Sequence, residues 1–173
     1  KMLSNRRKEV IDLVRSAEVY IGVIQRVEVD ENLHFEALFP YERVLITPKS
    51  HPLLNVPLTS LAQIAAYPLI LMRKGTHTRG ILEEQIKRKG LRTEVVMELD
   101  SMDMIKRYVA LGMGISVGPR LAIDPTDHES FGVVGLAHML PVEQAGIVNL
   151  RGKTMSTPTK AFVQLLRDTL SVS

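Results

Sequence analysis

The hydrophobic pattern changes period repeatedly along the 173 residues, and this alternation limits the fold more than any other feature. Short apolar runs suit buried strands: "VYIGVI" (19–24), "HFEALF" (34–39), "RVLITP" (43–48), "PLILM" (68–72), "TEVVMEL" (93–99), "GISVG" (114–118), "FGVVGL" (131–136) and "AGIVNL" (145–150). Between them the spacing turns helical. Val10, Leu13 and Val14 follow a possible N-cap at Ser4, and "LTSLAQIAAY" is a short helix. "HTRGILEEQIKRKG" is an amphipathic helix ended by Gly90, and "SMDMIKRYVALG" is another. A last helix runs from Pro158, with Thr157 as N-cap and Phe162, Leu165 and Leu166 expected on its inner face. Strands alternating with helices predict an α/β protein built around a mostly parallel sheet. "TPKSHPLLNVP" (47–57) is the expected crossing between two lobes, and "MLPVEQAG" (139–146) the expected return.

Composition removes several function classes. Apolar content of 45% and charged content of 24% are those of a globular chain. No apolar run reaches the roughly 20 residues that span a bilayer, and the basic start "KMLSNRRKEV" has no apolar signal core. With no cysteine, disulfides, thiol catalysis and thiolate metal sites are excluded. The net charge of +3 is not concentrated. "NRRK" (5–8) and "KRKG" (87–90) are its only clusters, and neither is interleaved with aromatics. Direct contact with DNA is therefore not expected of these residues.

"GMGISVGP" (112–119) imitates both a phosphate-cradling glycine loop and the G-x-S-x-G elbow of serine hydrolases. Both motifs require a strand running into a helix, and here the order is reversed. Ser101 caps a helix whose Met102, Ile105 and Val109 share a face, and Gly112 falls where a left-handed C-cap is wanted. A helix C-terminus presents carbonyls, which repel phosphate. Ser116 reads as a small residue packed in a strand, not a nucleophile. The histidines, at 34, 51, 77, 128 and 138, have no partner at metal-ligand spacing, and the adjacent Glu83 and Glu84 suit a solvated face better than paired acid–base work.

"RKGTHTRG" (73–80) lies where a buried strand gives way to a helix, a common ligand position in α/β sheets. Thr76 and Thr78 offer hydroxyls, His77 a ring whose charge can switch, and the helix start free N–H groups that favour an anion. Plain helix capping by either threonine is the competing reading. "ELDSM" (98–102) repeats the strand-to-helix form with Ser101, where a plain N-cap is again the alternative.

In combination these segments resemble the effector-binding domain of LysR-type transcriptional regulators. The matching order runs through "EVIDLVRSAEVYIGVI" (9–24), "RVLITPKSHPL" (43–53), "YPLILMRKGTHTRGILEEQIKRKGL" (67–91), "VMELDSMDMIKRYVALGMGISVGP" (96–119) and "TPTKAFVQLLRD" (157–168). The resemblance implies a periplasmic-binding-protein-like fold of two α/β lobes joined by two crossing strands. It places lobe I at 1–47 and 145–173 and lobe II at 48–144, with the first βα unit of lobe I missing. It implies a small, anionic effector in the cleft between lobes, no cofactor or metal, and no catalysis. The ligand-binding residues it implies are Gln25 from lobe I, with Thr76, His77, Thr78, Ser101 and Met102 from lobe II. A homodimer or tetramer, DNA contact only through a helix-turn-helix domain outside this chain, no membrane, and a cytoplasmic location follow from the same resemblance.

Two other classes share such a fold. A solute-binding protein for uptake would carry an export signal upstream, and an enzyme would need the base–nucleophile pair or metal set that these residues lack.

Overall fold

The computed structural model describes residues 5–25 and 30–170; the proposed cap at Ser4 lies outside them. Its elements follow in the order α1 (Asn5–Arg15), β1 (Ile21–Gln25), β2 (Leu33–Tyr41), β3 (Arg43–Pro48), α2 (Leu61–Ala65), β4 (Leu69–Met72), α3 (His77–Arg88), β5 (Val95–Leu99), α4 (Met102–Ala110), β6 (Ser116–Pro119), β7 (Phe131–Gly135), β8 (Glu143–Leu150) and α5 (Thr157–Leu170). Contacts divide the chain into two units. Residues 1–41 and 143–173 form the first, and residues 42–142 the second.

In the first unit β8 lies between β1 and β2, antiparallel to both. Val14 of α1 packs with Ile24, Leu33 and Val148 in a small core. Helix α5 is tied to β2 by a two-pronged ion pair, Arg167 to both carboxylate oxygens of Glu36, each at 2.7 Å. Gly146 of β8 lies so close to β2 that a Cβ there would run into the Glu36 carbonyl. The pairing of β2 shifts register between Ala37 and Phe39, just beyond that close approach.

The second unit carries the larger core, and its strands show why their sequences read as unbroken apolar runs. Along β3, Leu45 joins one cluster while Val44 and Ile46 join another; along β4, Leu69 and Leu71 oppose Ile70 in the same way. The sheet is therefore buried on both faces. Leu61 and Ile64 of α2 and Leu82 and Ile86 of α3 cover one side, and Ile105 and Val109 of α4 the other. Each such side chain contributes about 1.5–3 kcal/mol on burial. Strand β3 pairs antiparallel with β6 and β7, and β4 pairs parallel with β5. A parallel bridge from Leu69 to Ile115, the residue before β6, joins the two groups of strands.

Two expectations are corrected, the direction of the strands and the seating of α5. The sheets are not mostly parallel: β3 and β8 enter directly from the chain crossings, without a crossover helix to impose a parallel partner. The division by contacts falls at 41/42 and 142/143, and β3 with its two strand partners lies wholly in the second unit. Thr157 is inside α5, and Ser156 is its cap: the Ser156 hydroxyl meets Thr159 Oγ1 at 2.8 Å and accepts from the Thr159 N–H at 3.4 Å. With the helix so placed, Val163 is its buried residue, while Phe162 and Leu165 are 49% and 61% exposed.

Candidate ligand-binding site

The parallel pairing of β4 with β5 decides what the second unit can present. Met72 is opposite Leu99, so the two chains leave the sheet side by side and in the same direction. Each then turns into a helix, β4 through residues 73–76 into α3 and β5 through residues 100–101 into α4. The turns are bound to each other. The Arg73 N–H donates to the Leu99 carbonyl at 2.9 Å, and the Arg73 guanidinium pairs with Asp100. Thr76, His77, Thr78, Ser101 and Met102 therefore share one end of a parallel pair, the position where open α/β sheets hold ligands.

Gly75 makes the first turn at φ 87°, a left-handed conformation that costs a glycine little. Thr76 has the backbone of an N-cap, yet its hydroxyl donates back to the Arg73 carbonyl at 3.1 Å and makes no cap bond to α3. Simple capping is thus not the role of this threonine. Thr78 is 5% exposed, and its Oγ1 is buried with no hydrogen-bond partner. His77 is half-buried beside it. The start of α3 accordingly combines uncapped backbone donors, the positive end of a helix and an unpaired buried hydroxyl.

The second turn is plainer. The Ser101 hydroxyl accepts from the Asp103 N–H at 3.2 Å, the capping role that was its alternative. Met102 packs on the core formed by Val44, Ile46 and Ile105, with its Cε against Gly118. Gln25 ends β1 in the other unit, half-buried and paired with Ala145.

Sequence reasoning missed Arg79. Its side chain is 2% exposed, one residue beyond Thr78, and all three guanidinium nitrogens are used. Nε donates to Glu83 at 2.6 Å, Nη1 to the Met72 carbonyl at 2.9 Å, and Nη2 to Glu98 at 3.1 Å. The i,i+4 spacing to Glu83 was the only signal; the other two partners come from β4 and β5.

"GMGISVGP" folds as its reversed order requires. Gly112, at φ 75°, follows the C-cap of α4; its N–H meets the Val109 carbonyl at 2.9 Å, and the Met113 N–H meets Tyr108 at 3.2 Å. Ser116 is fully buried at the start of β6. Among the described residues no group of histidines and carboxylates is disposed to hold a metal ion. No described helix is long and apolar enough to cross a membrane. An open trough of about 500 Å³ lies in the first unit between Tyr20, Ile21, Pro158 and Phe162. It is mostly apolar, and although the first turn of α5 lines it, the Ser156 hydroxyl accepts from the Thr159 N–H there and none of its lining side chains is a buried hydroxyl without a partner, so it lacks what the α3 turn offers.

Comparison with known proteins gives the geometry its context. The HTH-type transcriptional regulator cbl of Escherichia coli (strain K12) is 27% identical over 173 residues, covering 99% of this chain and 55% of that protein. The chain thus spans about half the length of the curated relatives it matches. The solved cofactor-binding domain of the Cbl transcriptional regulator superposes with a TM-score of 0.77 at 28% identity, covering 95% of this chain and 73% of that one. The regulatory domain of CcmR from Synechocystis PCC6803, solved in complex with 2-PG, gives a TM-score of 0.74 at 21% identity, covering 95% of this chain and 79% of that one. These likenesses establish the periplasmic-binding-protein-like fold. The model of the LysR substrate binding domain matches residues 2–171, nearly the whole chain, and the protein belongs to that family.

Proposed function

We propose that this chain is the ligand-sensing part of a LysR-type transcriptional regulator and that it binds a small anion at the turns preceding α3 and α4. The observation that carries the reading is the Thr78 hydroxyl, buried without a partner in the first turn of an uncapped helix. An unpaired buried hydroxyl costs about 1–3 kcal/mol, a cost that an anionic oxygen placed there removes. The helix start supplies backbone N–H groups and favourable field for the same oxygen. Thr76, His77, Ser101 and the first residues of α4 complete the polar surroundings. CcmR, a neighbour in fold, was solved with 2-PG, which makes that compound a suitable first probe.

The chemistry is recognition without turnover. The ligand acts by binding one arrangement of a homo-oligomer, a dimer or tetramer, more tightly than another; equal affinity for both would shift nothing. DNA is read by a separate helix-turn-helix domain, in keeping with relatives named HTH-type transcriptional regulators, and a regulator of that kind works in the cytoplasm. Thermal unfolding with and without 2-PG tests the site. Wild type is expected to gain stability with ligand concentration, and the Thr76→Val, Thr78→Val double variant to lose that gain. An equal gain in the double variant rules the site out.

A further inference from the structure

Both polar turns belong to one site only if something fixes their separation; the backbone bond from Arg73 to Leu99 holds their bases together, and the buried tie from the first turn of α3 to β5 is made by one side chain. Arg79 is anchored at three points: the last residue of β4 through the Met72 carbonyl, the body of α3 through Glu83, and β5 through Glu98, three residues before Ser101. We infer that Arg79 is a positioning residue, which sets the spacing of the Thr76–Thr78 turn from the Ser101–Met102 turn and thereby the size of anion the site accepts. The inference rests on the functional reading above.

Burial makes this tie rigid. A guanidinium removed from water needs partners for its nitrogens, and its planar fork restricts the positions from which Glu83, the Met72 carbonyl and Glu98 can meet all three at once. Glu83 and Glu98 are 47% and 39% exposed, so the carboxylates reach the arginine from the rim and do not share its burial. The exterior pair of Arg73 with Asp100 bridges the same turns, but those side chains are 56% and 63% exposed, where ion pairs contribute little. Among the side-chain ties between the turns, the interior one therefore sets how the start of α3 sits against β5.

Glu98 separates positioning from simple electrostatics. Glu98→Ala removes one acceptor and one negative charge near the site. If charge alone mattered, an anion would bind the variant more tightly. If position matters, it binds more weakly, and Glu98→Gln, which keeps an acceptor oxygen, recovers most of the affinity. The experiment compares wild type, Glu98→Ala, Glu98→Gln and Arg79→Lys by amide NMR, first without ligand and then in titration with 2-PG. Without ligand, Glu98→Ala and Arg79→Lys are expected to move the amides of residues 76–78 and of residues 100–102 together. With 2-PG, both variants should bind roughly tenfold more weakly, the scale of one lost charged hydrogen bond. Shifts confined to β5 in Glu98→Ala, or tighter binding by that variant, overturn the inference. Failure of wild type to bind 2-PG counts against the functional reading for that ligand, while the ligand-free spectra still decide whether Arg79 couples the turns. Should Arg79→Lys fail to fold, the two Glu98 variants give the answer alone.

Discussion

Thr78 and His51 show how single side chains report on their surroundings. Because the Thr78 hydroxyl is buried and unpaired, replacing it with the isosteric valine removes a penalty and no hydrogen bond. Thr78→Val is expected to keep or raise the stability of the ligand-free protein, by up to about 1 kcal/mol, as measured by urea unfolding. A clear loss would mean that the hydroxyl has a structural partner. His51 lies before a short 3₁₀ turn, its Nδ1 accepting from the Leu53 N–H at 3.3 Å and its ring set edge-on to Tyr67 at 4.5 Å. Burial pushes its pKa below the usual 6.5. The folded state therefore favours the neutral ring, and the unfolded chain takes up the proton first. The stability it contributes is complete above pH 6.5 and is lost as pH falls from there through the depressed folded value. His51→Gln is expected to flatten the urea midpoint between pH 7.5 and 5.5 relative to wild type; an unchanged slope would place the dependence elsewhere.

At the scale of elements, α5 separates what the sequence shows from what packing decides. Its helical period was legible, but the buried face was not, because Phe162 and Leu165 are as apolar as Val163 and only the seating of the helix on β2 chooses between them. Val163→Ala should cost roughly 1–3 kcal/mol, while Phe162→Ala should stay within about 0.5 kcal/mol, both by chemical unfolding. Comparable losses would reverse the assignment of faces. The pair that holds α5 to β2 has a pH signature: the hydrogen bonds from Arg167 hold the Glu36 carboxyl below its usual 4.5. Its contribution is present above pH 4.5 and disappears as pH falls through the lowered value. Both groups are partly exposed, so the effect is at most about 1 kcal/mol, and Arg167→Met should remove it. Helix ends were far easier to read. Gly90 and Gly112 each follow a helix with positive φ and the paired backbone bonds of a left-handed cap, as their positions in the sequence foretold. Gly146 had no such signal; its need for glycine comes from the distant Glu36 carbonyl, and Gly146→Ala should cost about 3 kcal/mol or more.

For the molecule as a whole, the α/β character and the two strand-to-helix turns were visible because each depends on residues near in sequence. Strand direction was not, since β3 and β8 take their partners from segments far along the chain. Arg79 was hidden for the same reason: Glu98 is 19 residues away, and nothing local marks it as a partner. Thr76 and Thr78 were named for their hydroxyls, and it took the folded structure to show that one is turned away and the other unpaired. The proposed function stands on the start of α3, with its neighbouring turn, being an anion site. An amide NMR titration of the wild-type chain with 2-PG tests it most directly. Saturable shifts are expected, largest at residues 76–79 and 101–103, with small changes in α1 and α5. Saturable binding whose largest shifts fall instead at Tyr20 and Phe162, around the trough of the first unit, would contradict it.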